Sequence, residues 1–171
     1  EVCAQEGEVA LLIPQVPADQ APLVDYVWSL NGTIITNGFT SPEGFVHNIL
    51  ADGVLEVSDM NVATVITLLY DLEVSGTGLC TVTDQVNLSV YPPITFNVEY
   101  VEEICLENDR VDITIIDLTG GKNDDYTLTL EGVDFAGNTI NISQSTLIFE
   151  NIPSGTYTVT INGDIGCETA S

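Results

Sequence analysis

Basic residues are nearly missing from this chain: Arg110 and Lys122 stand against 26 Asp and Glu, for a formal net charge of −24. A surface of that sign repels phosphate backbones and anionic lipid headgroups, so nucleic acid and membrane surfaces are poor partners for it. Nearly every carboxylate must also do without an ion pair, and is solvated, screened by salt or met by a bound cation.

Histidine is just as scarce, with His47 the only one. No Ser-His-Asp or Cys-His arrangement can be completed without it, and its neighbours Gly44, Phe45, Val46 and Asn48 read as a polar loop. Paired carboxylates carry no specificity where 26 acids share a small chain. The expectation is therefore no enzyme and no catalytic residue. The sequence has no run of apolar residues long enough to span a bilayer, and it opens at Glu1-Val2-Cys3 without a basic and apolar leader, which reads as a mature or excised piece.

What the chain does have is apolar side chain, 44% of residues with a positive mean hydropathy, enough to build a core. Its β-branched and aromatic residues gather in short runs separated by Gly, Asn, Asp and Pro, and helical stripes are hard to find. The fold class read from this is all-β. Strands are expected over residues 8–13, 23–30, 33–36, 54–57, 62–74 and 82–90, with Asn31-Gly32 as a tight hairpin turn, and then over 97–101, 110–117, 126–130, 139–142, 146–149 and 155–161.

Two stretches align. Glu1-Val2-Cys3, followed by Val9, matches Glu103-Ile104-Cys105, followed by Val111, and Gly76-Thr77-Gly78-Leu79-Cys80 matches Gly163-Asp164-Ile165-Gly166-Cys167. An internal duplication explains both matches, and Pro92-Pro93, which lacks the amides of a strand ladder, marks the boundary. This predicts two tandem sandwich domains, residues 1–92 and 93–171, joined by a stiff diproline as a rod. The second copy stops soon after Cys167, so its last strand is expected to be missing, or supplied by another chain. The duplication also selects one disulfide per domain, Cys3 with Cys80 and Cys105 with Cys167, worth about 4 kcal/mol each in the chain-entropy model and pointing to an oxidising compartment. Zinc is the rival use of these thiols, without any CxxC pair to recommend it.

The segment Ile152-Pro153-Ser154-Gly155-Thr156-Tyr157-Thr158-Val159-Thr160-Ile161, with Gly166-Cys167 after it, resembles the ending of repeats in the SprB-type gliding-motility adhesins of Bacteroidetes. Cys105, Asp112-Ile113-Thr114-Ile115, Gly120-Gly121 and Tyr126-Thr127-Leu128-Thr129 fit the start of such a repeat, although Leu130 stands near the family's Trp and Asp125 replaces its Pro. Through Tyr26-Val27-Trp28, Cys3 and Cys80 the first copy looks like the immunoglobulin-like or PKD-like modules of the same surface proteins. The resemblance implies two immunoglobulin-like sandwiches in a large protein exported by the type IX system to the bacterial cell surface. There they would form a stalk or adhesive filament whose partners are further repeats or neighbouring protomers. It implies no catalytic residue.

For ligands, Asp117, Asn123, Asp124 and Asp125 concentrate oxygen donors in a glycine-bearing loop, the chemistry calcium requires, against a default reading as a solvated acidic loop. Glu99, Glu102 and Glu103 are a weaker set at the domain junction. Trp28 is read as core filling beside the disulfide rather than a sugar platform. A glycan or protein site, if present, is expected on the end loops at 37–51 or 117–125. Two further readings are accessory domains of a secreted enzyme and a subunit that polymerises by strand donation. The three Asn-x-Ser/Thr matches at Asn31, Asn87 and Asn141 are read as coincidence.

Overall fold

Alternation of apolar and polar residues sets the architecture. In Ile66-Thr67-Leu68-Leu69-Tyr70-Asp71-Leu72-Glu73, residues 68, 70 and 72 are buried while 69 and 73 face water. The computed structural model describes residues 1–4, 7–17, 23–76, 80–100, 110–122, 126–163 and 168–170, and among these no residue is α-helical. The chain divides into two compact units, Glu1–Pro92 and Pro93–Ser171.

Among its described residues the first unit holds nine strands: β1 (Val2–Cys3), β2 (Ala10–Leu12), β3 (Val24–Leu30), β4 (Thr33–Ile34), β5 (Phe39–Thr40), β6 (Val46–Ile49), β7 (Leu55–Ser58), β8 (Ile66–Gly76) and β9 (Val82–Tyr91). One sheet runs β1-β9-β8-β3-β4 and the other β2-β7-β6-β5. Asn31 and Gly32, at φ 51° and 76°, form the expected turn between β3 and β4, since both positions need a left-handed backbone. Trp28, Leu30, Leu68, Tyr70, Leu72, Leu88 and Val90 from the first sheet share one core with Ala10, Leu55 and Val57 from the second and with Phe45 from the turn before β6, so the unit is a β-sandwich. Trp28 is core, 2% exposed. Each fully buried Leu or Val here stabilises the fold by about 1.5–3 kcal/mol.

The second unit holds β10 (Thr95–Tyr100), β11 (Arg110–Thr119), β12 (Thr127–Asp134), β13 (Thr139–Gln144), β14 (Ile148–Pro153), β15 (Gly155–Asn162) and β16 (Glu168–Ala170). Its sheets run β10-β11-β14 and β13-β12-β15-β16. Ile113, Ile115, Phe149 and Ile152 of the first are buried, as are Leu128, Leu130, Val159 and Ile161 of the second.

Three expectations change. Strands β1, β5 and β6 form where none was expected: β1 is completed by a distant partner, running parallel to β9 with Val2 beside Val90, whereas β5 and β6 pair with each other across a short turn and β6 with β7. A last strand does form in the second unit: β16 pairs antiparallel with β15 through Thr160, Ile161 and Asn162, so that edge is occupied. The third change concerns the cysteines. Cys80 is exposed and free, so a Cys3–Cys80 bridge is not formed. Cys3 lies opposite Tyr91 at one end of β9, whereas Cys80 precedes Val82 at the other end. Nine steps of about 3.3 Å separate the two ends by roughly 30 Å, and a disulfide tolerates a Cα separation of only about 7 Å. Cys105 and Cys167 lie outside the described residues.

Candidate functional site

The β5–β6 hairpin of the first unit carries a polar cluster into the core. Ser41-Pro42-Glu43-Gly44 makes its turn: the Gly44 amide donates to the Ser41 carbonyl at 2.9 Å and the Ser41 amide to the Phe45 carbonyl at 3.0 Å. Proline fixes the second position and Gly44, at φ 93°, takes the left-handed one. The turn thereby sends Phe45 and His47 inward on alternate residues, both 0% exposed.

His47 is therefore not a loop residue. Its Nδ1 lies 3.1 Å from the Phe39 carbonyl, which can only accept, so Nδ1 carries the proton. Nε2 is left to accept the Tyr70 hydroxyl at 2.8 Å, across from β6 to β8. Desolvation lowers the His47 pKa, while the Phe39 and Phe45 carbonyls and the Glu43 charge act the other way. Burial likewise pushes the Tyr70 phenol well above its ordinary value, with the Glu43 charge adding to the shift. Ser41 Oγ and Glu43 Oε2 are buried without a hydrogen-bond partner. This arrangement holds a neutral imidazole between two sheets; it offers no open nucleophile and no path for a substrate.

Of the calcium candidates, Asp117 sits exposed on β11 at φ 53°, and its Oδ2 accepts from Asn97 Nδ2 at 3.0 Å. Nearby, the Tyr126 hydroxyl donates to the Gly120 carbonyl at 2.7 Å, and Gly120, at φ 92°, presses against the Pro93 backbone where a Cβ has no room. Asn123, Asp124 and Asp125 lie outside the described residues, as do Glu102 and Glu103. Among the described residues no three His, Cys, Asp or Glu side chains come together as a metal set.

Two grooves could accept a ligand by size. One, of about 700 Å³, is lined by Leu12, Pro14, Val24, Trp28, Leu72 and Val82 in the first unit. The other, of about 480 Å³, opens between the two sheets of the second unit and is lined by Val98, Tyr100, Phe135, Tyr157 and Val159. Tyr100 and Phe135 are 57% and 83% exposed, and the Tyr157 hydroxyl donates to the Pro153 carbonyl at 2.7 Å. Beside them Asp134 accepts from Asn138 Nδ2 at 2.8 Å and from the Asn138 amide at 2.7 Å, bonds that hold its carboxyl below the usual carboxylate range. The sequence reading passed over both the His47 cluster and this aromatic groove. The signal for the first was the alternation Phe45, His47, Ile49; the second joins residues from separate strands, which no local pattern shows.

No protein-family model matches the chain, and no curated protein does, so the gliding-adhesin resemblance rests on its motif alone. Solved structures do align over 99% of the chain. An amphioxus IgVJ-C2 molecule is 15% identical, with 97% of that chain covered and a TM-score of 0.41. A titin fragment, A168169, is 15% identical, with 90% covered and a TM-score of 0.35. The Bacteroides ovatus SGBP-B of a mixed-linkage glucan utilization locus, solved with a mixed-linkage heptasaccharide, is 12% identical, with 64% covered and a TM-score of 0.34. At these scores none of the three carries an argument, and the sandwich architecture rests on the sheets themselves.

Proposed function

We propose that the chain is a structural or adhesive segment of a secreted bacterial cell-surface protein, built from two immunoglobulin-like modules and not an enzyme. The observation that carries this reading is where the polar chemistry goes. The single histidine is sealed in a core and committed at both nitrogens, while no Asp or Glu among the described residues is fully buried. The charge of −24 keeps such a surface hydrated and repels nucleic acid and anionic lipid. Four cysteines in a chain of this size support an oxidising, extracellular setting. The SprB-type motif adds the stalk or filament, with further repeats as neighbours.

The aromatic groove of Tyr100, Phe135 and Tyr157 favours a second reading, a module that recognises a glycan or protein. Replacing the segment in its parent protein with two unrelated sandwich modules of equal size separates them. A structural segment leaves export and attachment of the cells unchanged; loss of attachment with normal export identifies a recognition surface.

A further inference from the structure

Two chains can join where a sheet ends, because an edge strand carries backbone groups that its own sheet does not use. Natural edges are blunted by shortness, bulges, proline or charge, and among the described residues seven of the eight edges of the four sheets follow this rule. Strands β1, β4 and β5 have 2 residues each, and β2 and β16 have 3. Strand β10 carries a register shift between Thr95 and Asn97 as well as Glu99, and the β11–β14 ladder is broken between Val111 and Ile113, with Glu150 and Pro153 in β14.

Strand β13 has none of these devices. Its 6 residues, Thr139-Ile140-Asn141-Ile142-Ser143-Gln144, carry no charge and no proline, and they pair with β12 in unbroken register from Val133–Thr139 to Leu128–Gln144. In a chain of −24 this is an uncharged strip at a sheet margin.

The turn before it fixes which groups face outward. The Asp134 amide donates to the Asn138 carbonyl at 3.0 Å and the Gly137 amide to the Asp134 carbonyl at 2.9 Å. Counting from this closing pair, hydrogen-bonded and non-hydrogen-bonded pairs alternate, so Ile140, Ile142 and Gln144 bond to β12. Thr139, Asn141 and Ser143 therefore turn their N–H and C=O toward the open edge. On the inner face Ile140 and Ile142 are only half buried, and Ile142 borders a cleft of about 560 Å³ with Leu147, Ile148 and Ile152. Leu147 and Ile148 are each 43% exposed. A strand added at β13 thus has backbone partners on its near side and an apolar shelf beneath it.

We propose that this edge docks against β13 of a second copy of the chain, antiparallel about a two-fold axis at Asn141. That register pairs Asn141 with Asn141 and Thr139 with Ser143, each pair exchanging both of its backbone hydrogen bonds, and sets Ile140 of one copy against Ile142 of the other. A second copy is the occupant because β13 itself has the required chemistry: apolar at alternate positions and free of the acids that would repel the rest of this surface. The contact is small for a stable interface and works against the repulsion of two chains of −24, so it forms weakly and more strongly as salt rises. This inference stands apart from where the protein is displayed.

Sedimentation velocity on the full chain tests it. The wild type is monomeric at low ionic strength and shows a reversible dimer as sodium chloride rises toward about 1 M, where the Debye length falls to about 3 Å. Asn141→Asp and Asn141→Lys each set like charges face to face across the two-fold, and both raise the dimer dissociation constant severalfold. Asn141→Lys keeps a donor beside Glu131, which the Asn141 Nδ2 reaches at 2.6 Å, so this variant remains folded even if the Asp variant does not. A chain that stays monomeric at every salt concentration overturns the proposal. So does stronger association of Asn141→Lys, the sign of general charge reduction rather than a self-facing residue.

Discussion

His47 Nε2 lies 2.8 Å from the Tyr70 hydroxyl, and the bond ties the two sheets of the first sandwich together from inside their core. Removing one partner strands the other without water. Tyr70→Phe is expected to destabilise the chain by about 1–3 kcal/mol, and the double variant with His47→Leu by less than the sum of the two singles, because the second change removes the stranded group. Chemical denaturation of the four proteins in the cycle checks this.

The same pair sets a pH dependence. Burial lowers the His47 pKa in the folded chain, so the unfolded chain binds more protons as the pH falls. The stabilising contribution of the neutral ring is complete above the unfolded value of about 6.5 and is lost as the pH falls through that value toward the lowered one. The midpoint of wild-type unfolding should thus drop as the pH falls below about 6.5, relative to the His47→Leu, Tyr70→Phe double variant. Parallel profiles for the two proteins would show that His47 titrates normally.

Gly53 is held from two sides. Its carbonyl accepts the buried Trp28 Nε1–H at 2.7 Å, and the Tyr26 ring lies where a Cβ would stand. With φ at 72° the position is also unfavourable for any L side chain. Gly53→Ala is expected to cost about 1–3 kcal/mol and to shift the Trp28 emission, both readable in one fluorescence-detected denaturation.

Cys80 should react with a thiol reagent in the folded, unreduced chain, since it is exposed and free. Peptide mapping after alkylation without reduction is expected to find the label on Cys80. Recovering Cys80 in a cystine peptide with Cys3 would restore the pairing expected from the duplication.

Much of the fold was legible because strands of a sandwich advertise themselves locally, in β-branched runs such as Val82–Tyr91 and in the Asn31-Gly32 turn. Strands β5 and β6 were not, because runs of only 2 and 4 residues are too short to show an alternation of their own. His47 was misplaced for a related reason: a single polar residue in an alternating run looks like a loop until Tyr70, far along the chain, supplies its partner. The Cys3–Cys80 pairing failed because a duplicated spacing says nothing of distance along β9. Asp117 shows the same limit from the other side, since its Asn97 partner comes from a neighbouring strand rather than from its own acidic loop.

Ions should act on this surface by screening. At matched ionic strength, calcium and magnesium are expected to raise the unfolding midpoint equally, because Asp117 is engaged by Asn97 and the charge of −24 is spread over the chain. A calcium-specific rise of many degrees would instead assign a metal site to the loop at residues 117–125.

The most direct test of a surface-displayed structural segment is made on intact cells that produce the protein, with an antibody raised against this chain. Labelling without permeabilisation, removed by external protease, is the predicted result. Labelling that appears only after the envelope is opened would contradict the account.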